Sequence, residues 1–190
     1  MAKPLVFEEL VRYMRQIGAA DIEHSEGGYL GHAVGVYRDL MAWGCPEDVC
    51  CAGLFHSIYG TELFQSFKLP LAKREEVKSL IGQRAEWLAY LNCAIVYASF
   101  DSIVENGNPP YVMENRFTGE LTRVSPDDFN DLCIIHLCDR LEQFPRSRDF
   151  DFRPGVFCHL AKRLGGVAHR EYTRVIEGQS DGAVAKTVCS

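Results

Sequence analysis

The sequence lacks any run of about 18 apolar residues, so we expect no transmembrane helix. Its amino-terminal stretch, MAKPLVFEELVRYMRQ, carries acidic and basic residues within the apolar pattern and does not resemble a secretory signal. An excess of positive charge is also missing, because the net charge is −6 at pH 7. Nucleic-acid polymers and anionic membranes both attract basic surfaces. We therefore predict a cytoplasmic protein that binds neither.

No Cys-x-x-Cys pair occurs among the eight cysteines, so the spacing of a zinc ribbon is not present. Short-loop spacing typical of a disulfide framework is absent too. Most of the cysteines lie in apolar, helix-like surroundings, which predicts buried free thiols in a reducing compartment. This applies to Cys50, Cys51, Cys93, Cys133, Cys138 and Cys158, whereas Cys189 is expected to be an exposed thiol.

The apolar residues recur mainly at intervals of three and four, which predicts a mainly helical protein. A length of 190 residues with 47% apolar and 24% charged side chains suits one soluble domain with a sizeable core. Residues 1–178 are assigned to that domain, and the small, polar stretch 179–190 to a flexible tail. The segment YVMENRFTGELTRVS predicts a small β-hairpin. Helices are expected over 4–17, 30–44, 46–58, 73–98 with a break at Gly82, 125–144 and 153–166. An extension of the last helix over 168–178 is the alternative.

Two histidines and one aspartate stand out by their context as possible metal ligands. His32 lies near the start of a predicted helix, and His56 ends the apolar helix that follows. Asp139 lies in the apolar run IIHLCDRLEQ, where a buried carboxylate must be paired, hydrogen-bonded or bound to metal. Imidazole and carboxylate are common metal ligands. A purely structural, hydrogen-bonded role remains the alternative for each histidine, and His136 either supports Asp139 from the same helix face or simply packs.

Four motifs occur in order between about residues 30 and 145: LGHAVGVYRDLMAWG, CCAGLFHSIYGTE, VKSLIGQRAEWLAYL and HLCDRLEQ. Together they resemble the HD-domain superfamily of metal-dependent phosphohydrolases, most closely its guanosine-polyphosphate hydrolase branch. The chain also resembles a small HD-like family with His-Ser at the second motif. The resemblance implies an all-α, HD-domain-like bundle of six to eight helices with a small β-hairpin insertion.

The same resemblance implies that His32, His56 and Asp139 bind one divalent metal, which could be Mn²⁺, Fe²⁺, Zn²⁺ or Mg²⁺. Such an ion activates a water molecule for attack on a phosphorus centre. The implied ligand is a small phosphorylated molecule, for example a nucleotide.

The chain departs from the resembled hydrolases directly after the second histidine. Ser57 stands where they have aspartate, which removes one negative charge from the site. Gly60 and Thr61 stand where the polyphosphate hydrolases have a Glu-Asp pair. Glu62, one position further, is a candidate substitute base.

Further candidates for ligand contacts are two residues beside His56, namely Ser57 and Tyr59, and three arginines. Arginine suits bidentate recognition of phosphate. Tyr59 could equally be a core residue, and each arginine could equally be a surface or ion-pair residue. The three arginines are Arg38, Arg116 and Arg140.

Three functions compete. The first is a divergent hydrolase in which His32, His56 and Asp139 hold the metal. The second is a catalytically impaired ligand-binding or sensor module with weak or no metal, which the three replaced acids favour. The third is oxygen chemistry at a single iron, since two histidines and a carboxylate form a known open iron site.

Overall fold

The computed structural model describes residues 7–22, 28–146 and 153–177. The chain divides into two compact units, Met1–Cys93 and Ala94–Ser190, which are described separately. Within the described ranges, no helix is both long and apolar enough to cross a membrane. The predicted tail, Cys189 and His24 lie outside these residues.

The regular secondary structure in the described part of the first unit is helical. Its helices are α1 (Phe7–Gln16), α2 (Gly28–Ala42), α3 (Glu47–Leu54), α4 (Arg74–Ile81) and α5 (Gln83–Ala94). Helix α2 packs against both α1 and α3, and α3 also contacts α4. Helix α3 begins after Pro46, with Glu47 and Asp48 in its first turn, where negative charge favours the positive end of the helix dipole. All residues from Val49 to Leu54 are buried, as the continuous apolar run predicts.

The second unit contains four helices and the predicted hairpin. The helices are α6 (Tyr97–Asn106), α7 (Pro126–Gln143), α8 (Pro154–Leu164) and α9 (Gly166–Glu177). Strands β1 (Tyr111–Glu114) and β2 (Leu121–Val124) pair antiparallel, with Tyr111 opposite Val124 and Glu114 opposite Leu121. Helix α7 packs against α8 and α9. The Ser125 hydroxyl accepts a hydrogen bond from Asp128 N at 3.1 Å, so Ser125 caps the start of α7.

The described residues form nine α-helices rather than the six to eight expected. The main difference is a break inside the segment that was predicted to be helical from 73 to 98. Ile95 forms a bridge with Asn115, and Val96 N donates to Glu114 O at 3.0 Å. These two β-branched residues favour extended backbone, and the hairpin supplies the partners for it. Helix α6 therefore starts anew at Tyr97.

The free thiols among the described residues are Cys45, Cys50, Cys51, Cys93, Cys133 and Cys138. Apart from Cys45, which is partly exposed, these side chains are buried, as predicted. Cys158 is instead disulfide-bonded, so the prediction that it carries a free thiol is wrong.

Candidate metal centre

Helix α2 presents His32 on a buried stripe. His32, Val36 and Leu40 follow one another at intervals of four and are all buried, because residues spaced by four lie on one helix face. This stripe belongs to the surface with which α2 packs against α3. The packing of the two helices therefore directs His32 into the interior of the first unit.

His56 lies two residues beyond the end of α3, where its ring is fixed by the last turn of the helix. His56 Nδ1 lies 2.7 Å from the carbonyl oxygen of Gly53, and the backbone N of His56 lies 3.4 Å from the same oxygen. A carbonyl can only accept, so Nδ1 carries the proton and donates it. The Nε2 atom of the neutral ring then keeps its lone pair. A metal-binding histidine commonly has this arrangement, with its second ring nitrogen donating to a backbone carbonyl.

The two histidines meet through their Nε2 atoms, which lie 3.2 Å apart. Their rings are nearly perpendicular, at 89°, and both side chains are buried. Since His56 Nε2 holds the lone pair, His32 Nε2 donates in this contact. Two nitrogens that each lie about 2.1 Å from one ion are roughly 3.0 to 3.4 Å apart for coordination angles between octahedral and tetrahedral. The observed separation therefore fits two ligands of one metal ion.

Asp139, the predicted acidic ligand, lies on α7 and is partly buried. Its Oδ1 accepts a hydrogen bond from Gln143 Nε2 at 2.7 Å, one helical turn further along. His32, His56 and Asp139 each offer one ligand atom, and together they could hold a metal ion. The arrangement contains two neutral nitrogens and one oxygen, which suits several divalent ions.

The segment after His56 forms a tight turn at the positions where the resembled hydrolases carry acids. Gly60 has φ +74° and donates from its N to Ser57 O at 2.9 Å. Thr61 N donates to Phe64 O, and the Thr61 hydroxyl accepts from Phe64 N at 3.0 Å. Ser57 is buried, whereas Glu62, the predicted substitute base, is exposed. The backbone at 60 and 61 therefore serves to close a turn.

Tyr59 belongs to a buried polar network. Its hydroxyl donates to Glu86 Oε1 at 3.0 Å, and Arg74 binds the same carboxylate with Nε at 2.6 Å and a terminal nitrogen at 2.9 Å. Burial raises the pKa of Tyr59, and the adjacent Glu86 raises it further. Glu86 is only 1% exposed and did not figure among the predicted residues. The signal in the sequence was an acid inside the apolar run AEWLAYL, as for Asp139.

The three predicted arginines occupy different settings. Arg38 is exposed on α2, away from the buried stripe that carries His32. Arg116 follows β1, with its guanidinium 4.2 Å from the centre of the Phe117 ring. Arg140 follows Asp139 on α7, and its guanidinium lies 5.2 Å from the ring centre of Phe144 and 5.6 Å from that of Phe157. Their assignment to ligand contacts stays a prediction.

His136 is buried in the second unit among aromatic rings and an arginine. Its Nε2 lies 2.9 Å from an Arg153 terminal nitrogen, so the ring is the acceptor. Arg153 also pairs with Asp101, its Nε lying 2.8 Å from Oδ2. The His136 ring stacks on Phe157 at 10°. These contacts account for burial of the imidazole without a bound ion, and no sequence spacing linked Arg153 to His136.

A family model described as a domain of unknown function (DUF6817) matches residues 13–96. The matched segment includes His32 and His56. No curated protein and no solved structure matches the chain.

Proposed function

We propose that the protein binds one divalent metal through His32, His56 and Asp139 and hydrolyses a small phosphorylated molecule. The observation that carries the proposal is the 3.2 Å separation of the two buried Nε2 atoms. The four ordered motifs of the HD-domain superfamily support the reaction class. A bound divalent metal would supply an activated water and polarise a phosphoryl oxygen.

The residues of the chain have separate roles in this proposal. His56 presents its Nε2 lone pair because Gly53 O holds the proton on Nδ1. His32 would offer its Nε2 from the buried stripe of α2, with its proton then carried on Nδ1. Asp139 supplies the one negative charge of the set, and Gln143 orients it through the 2.7 Å hydrogen bond. Arg38, Arg116, Arg140 and Tyr59 remain proposed ligand contacts.

Metal content and turnover test the proposal together. Purified protein is stripped with chelator, titrated with Mn²⁺, Fe²⁺, Zn²⁺ and Mg²⁺ by calorimetry, and assayed with a panel of nucleotides and phosphomonoesters. We expect one ion per chain and metal-dependent phosphate release, both lost in His56→Ala and Asp139→Asn. The matched control is His169→Ala, since His169 is exposed on α9. Failure of all four ions to bind would overturn the metal site.

A second candidate is a catalytically impaired ligand-binding or sensor module with weak or no metal. The turn at Gly60 and Thr61 favours it, because these residues close a loop where the resembled hydrolases place a Glu-Asp pair. The same titration separates the two candidates. Weak or absent metal binding with no phosphate released from any panel member supports the module, whereas release that disappears in His56→Ala supports the enzyme.

A further inference from the structure

The carbonyl oxygen of His56 is held by two donors from α5. Helix α3 ends at Leu54, and the carbonyls at the end of a helix have no partner within it. Asn92 Nδ2 donates to His56 O at 2.8 Å, and the Cys93 thiol lies 3.2 Å from the same oxygen. Both side chains are buried, and that of Asn92 is 1% exposed.

Of the two donors, the amide is the stronger. A thiol is a weak donor, whereas an amide hydrogen bond in a dry interior is electrostatically strong. Loss of Asn92 would remove the stronger of these two donors from the buried His56 carbonyl, and a poorly satisfied buried acceptor drives local rearrangement. The residue that would rearrange is His56 itself.

His56 is thus fixed on both sides of its Cα atom. On one side, its N and Nδ1 face Gly53 O at the end of α3. On the other, its carbonyl faces α5 through Asn92. Both sets of hydrogen bonds are needed to fix the position of the imidazole ring, because a rotation of the backbone at His56 moves its Nε2 relative to the Nε2 of His32. A metal site loses affinity when its ligands are displaced by about half an ångström.

We propose that Asn92 is a positioning residue for metal binding, acting through the main chain of His56. The inference rests on the proposed metal site and adds a determinant of its affinity outside the ligand set. Partners that orient a ligand in this way commonly contribute 10- to 100-fold to metal affinity. Asn92 does not contact the ligand nitrogens in this role, so its removal should weaken binding without changing the number of ions bound.

The test is the Mn²⁺ dissociation constant of Asn92→Leu, which removes the donor and keeps the branched side-chain skeleton. We expect binding at least ~10-fold weaker than in the wild type, with unchanged stoichiometry. The matched control is Leu91→Ala on the same helix, since Leu91 is buried and its truncation lowers stability by leaving a cavity. Its Mn²⁺ affinity, measured well below the melting temperature, should stay within about twofold of the wild type.

Each outcome decides one of the two claims. Wild-type affinity in Asn92→Leu, with binding abolished in His56→Ala, overturns the role of Asn92 and leaves the metal site standing. Equal weakening in Asn92→Leu and Leu91→Ala also overturns it, because the effect is then one of general stability. No Mn²⁺, Fe²⁺ or Zn²⁺ binding by the wild type removes the proposed site and this inference with it. If Asn92→Leu does not fold, Asn92→Ser is measured, with the same expected loss.

Discussion

Gly53 on α3 lies directly against Leu40 on α2. A Cβ atom on Gly53 would stand 2.3 Å from Leu40 Cδ1 and 3.2 Å from Val36 Cγ1. Leu40 and Val36 belong to the same buried stripe as His32. The missing side chain at Gly53 therefore allows the two helices to approach at the level where His32 and His56 meet.

Replacing Gly53 with alanine should push α2 and α3 apart. The Leu40 side chain can turn aside only in part because it is fully buried, so we expect a loss of about 1–3 kcal/mol in the free energy of unfolding. The separation of the two Nε2 atoms should also change and weaken Mn²⁺ binding. Urea denaturation and calorimetry measure the two effects.

Gly31→Ala is the matched control, because a Cβ at Gly31 on α2 would meet no atom within 4 Å. Alanine there should stabilise the helix by roughly 0.5–1 kcal/mol. If Gly53→Ala is as stable as Gly31→Ala, then close packing at Gly53 does not determine how α2 and α3 are arranged.

The Gly60 turn should resist an acidic side chain. Gly60 has φ +74°, and a Cβ there would lie 2.7 Å from Lys68 Cγ and 3.2 Å from Phe64 O. Gly60→Glu, which restores the acid of the polyphosphate hydrolases at this position, should therefore cost stability by two mechanisms: left-handed strain of order 1–2 kcal/mol and contact with the loop backbone. Thermal unfolding should show a clear fall in melting temperature with no gain in phosphate release.

Gly44→Ala separates these mechanisms. Gly44 also has a positive φ, +78°, but a Cβ on it would meet no atom within 4 Å. Gly60→Ala should consequently lose more stability than Gly44→Ala. Equal losses would mean that only the backbone strain matters and that the loop has room for a side chain.

Periodicity predicted much of the helical architecture because each helix buries a stripe of its own side chains. The hairpin was also recognisable, since turn residues act over a few positions. The sequence did not indicate the break at Ile95 and Val96, because the hairpin that pairs with these residues lies about 20 positions further along the chain.

The residues of the candidate site likewise include some that the sequence identified and some that it did not. His32, His56 and Asp139 were identified by residue type and context, as ligands must carry donor atoms. Gly53 and Asn92 were not identified, because a backbone carbonyl and an amide that binds another backbone carbonyl have no distinctive sequence pattern. Their roles depend on distances between helices, which only the three-dimensional structure provides.

Glu86 should be needed for stability. Its buried carboxylate accepts from Tyr59 and forms a two-point ion pair with Arg74, whose side chain is 29% exposed. Glu86→Ala removes all three hydrogen bonds and leaves the partly buried Arg74 without its carboxylate, which should cost about 3 kcal/mol. Glu75→Gln is the control, because Glu75 pairs with Lys78 at the surface and should change stability by less than ~1 kcal/mol. A loss in Glu86→Ala no larger than in this control would contradict the structural role.

Stability should fall at alkaline pH. Burial raises the pKa of Cys50 and Cys51 from 9.0 to about 12, and it likewise raises that of Cys133 to about 12. The unfolded chain then ionises first, so the stabilising contribution of the neutral thiols is complete below pH 9 and is lost as the pH rises towards 12. Melting temperature measured from pH 7 to 11 should stay level and then decline above pH 9. Cys51→Ala should make the decline less steep. A melting temperature of the wild type that stays level to pH 11 would contradict the raised pKa values of the buried thiols.

Ser57→Asp tests whether the buried surroundings of Ser57 favour a metal ion. Ser57 is only 3% exposed, so an added carboxylate would be largely withdrawn from water and should lower the melting temperature of the metal-free protein. A divalent ion held by His32 and His56 would offset this cost by attracting the new negative charge. We therefore expect Ser57→Asp to bind Mn²⁺ at least ~10-fold more tightly than the wild type, equivalent to about 1.4 kcal/mol.

Ser57→Asn is the control, because asparagine has nearly the size of aspartate and no charge. If Ser57→Asp only destabilises the protein, with no gain in Mn²⁺ affinity over Ser57→Asn, the position does not adjoin a metal site, and the structural role of the two histidines becomes the better account.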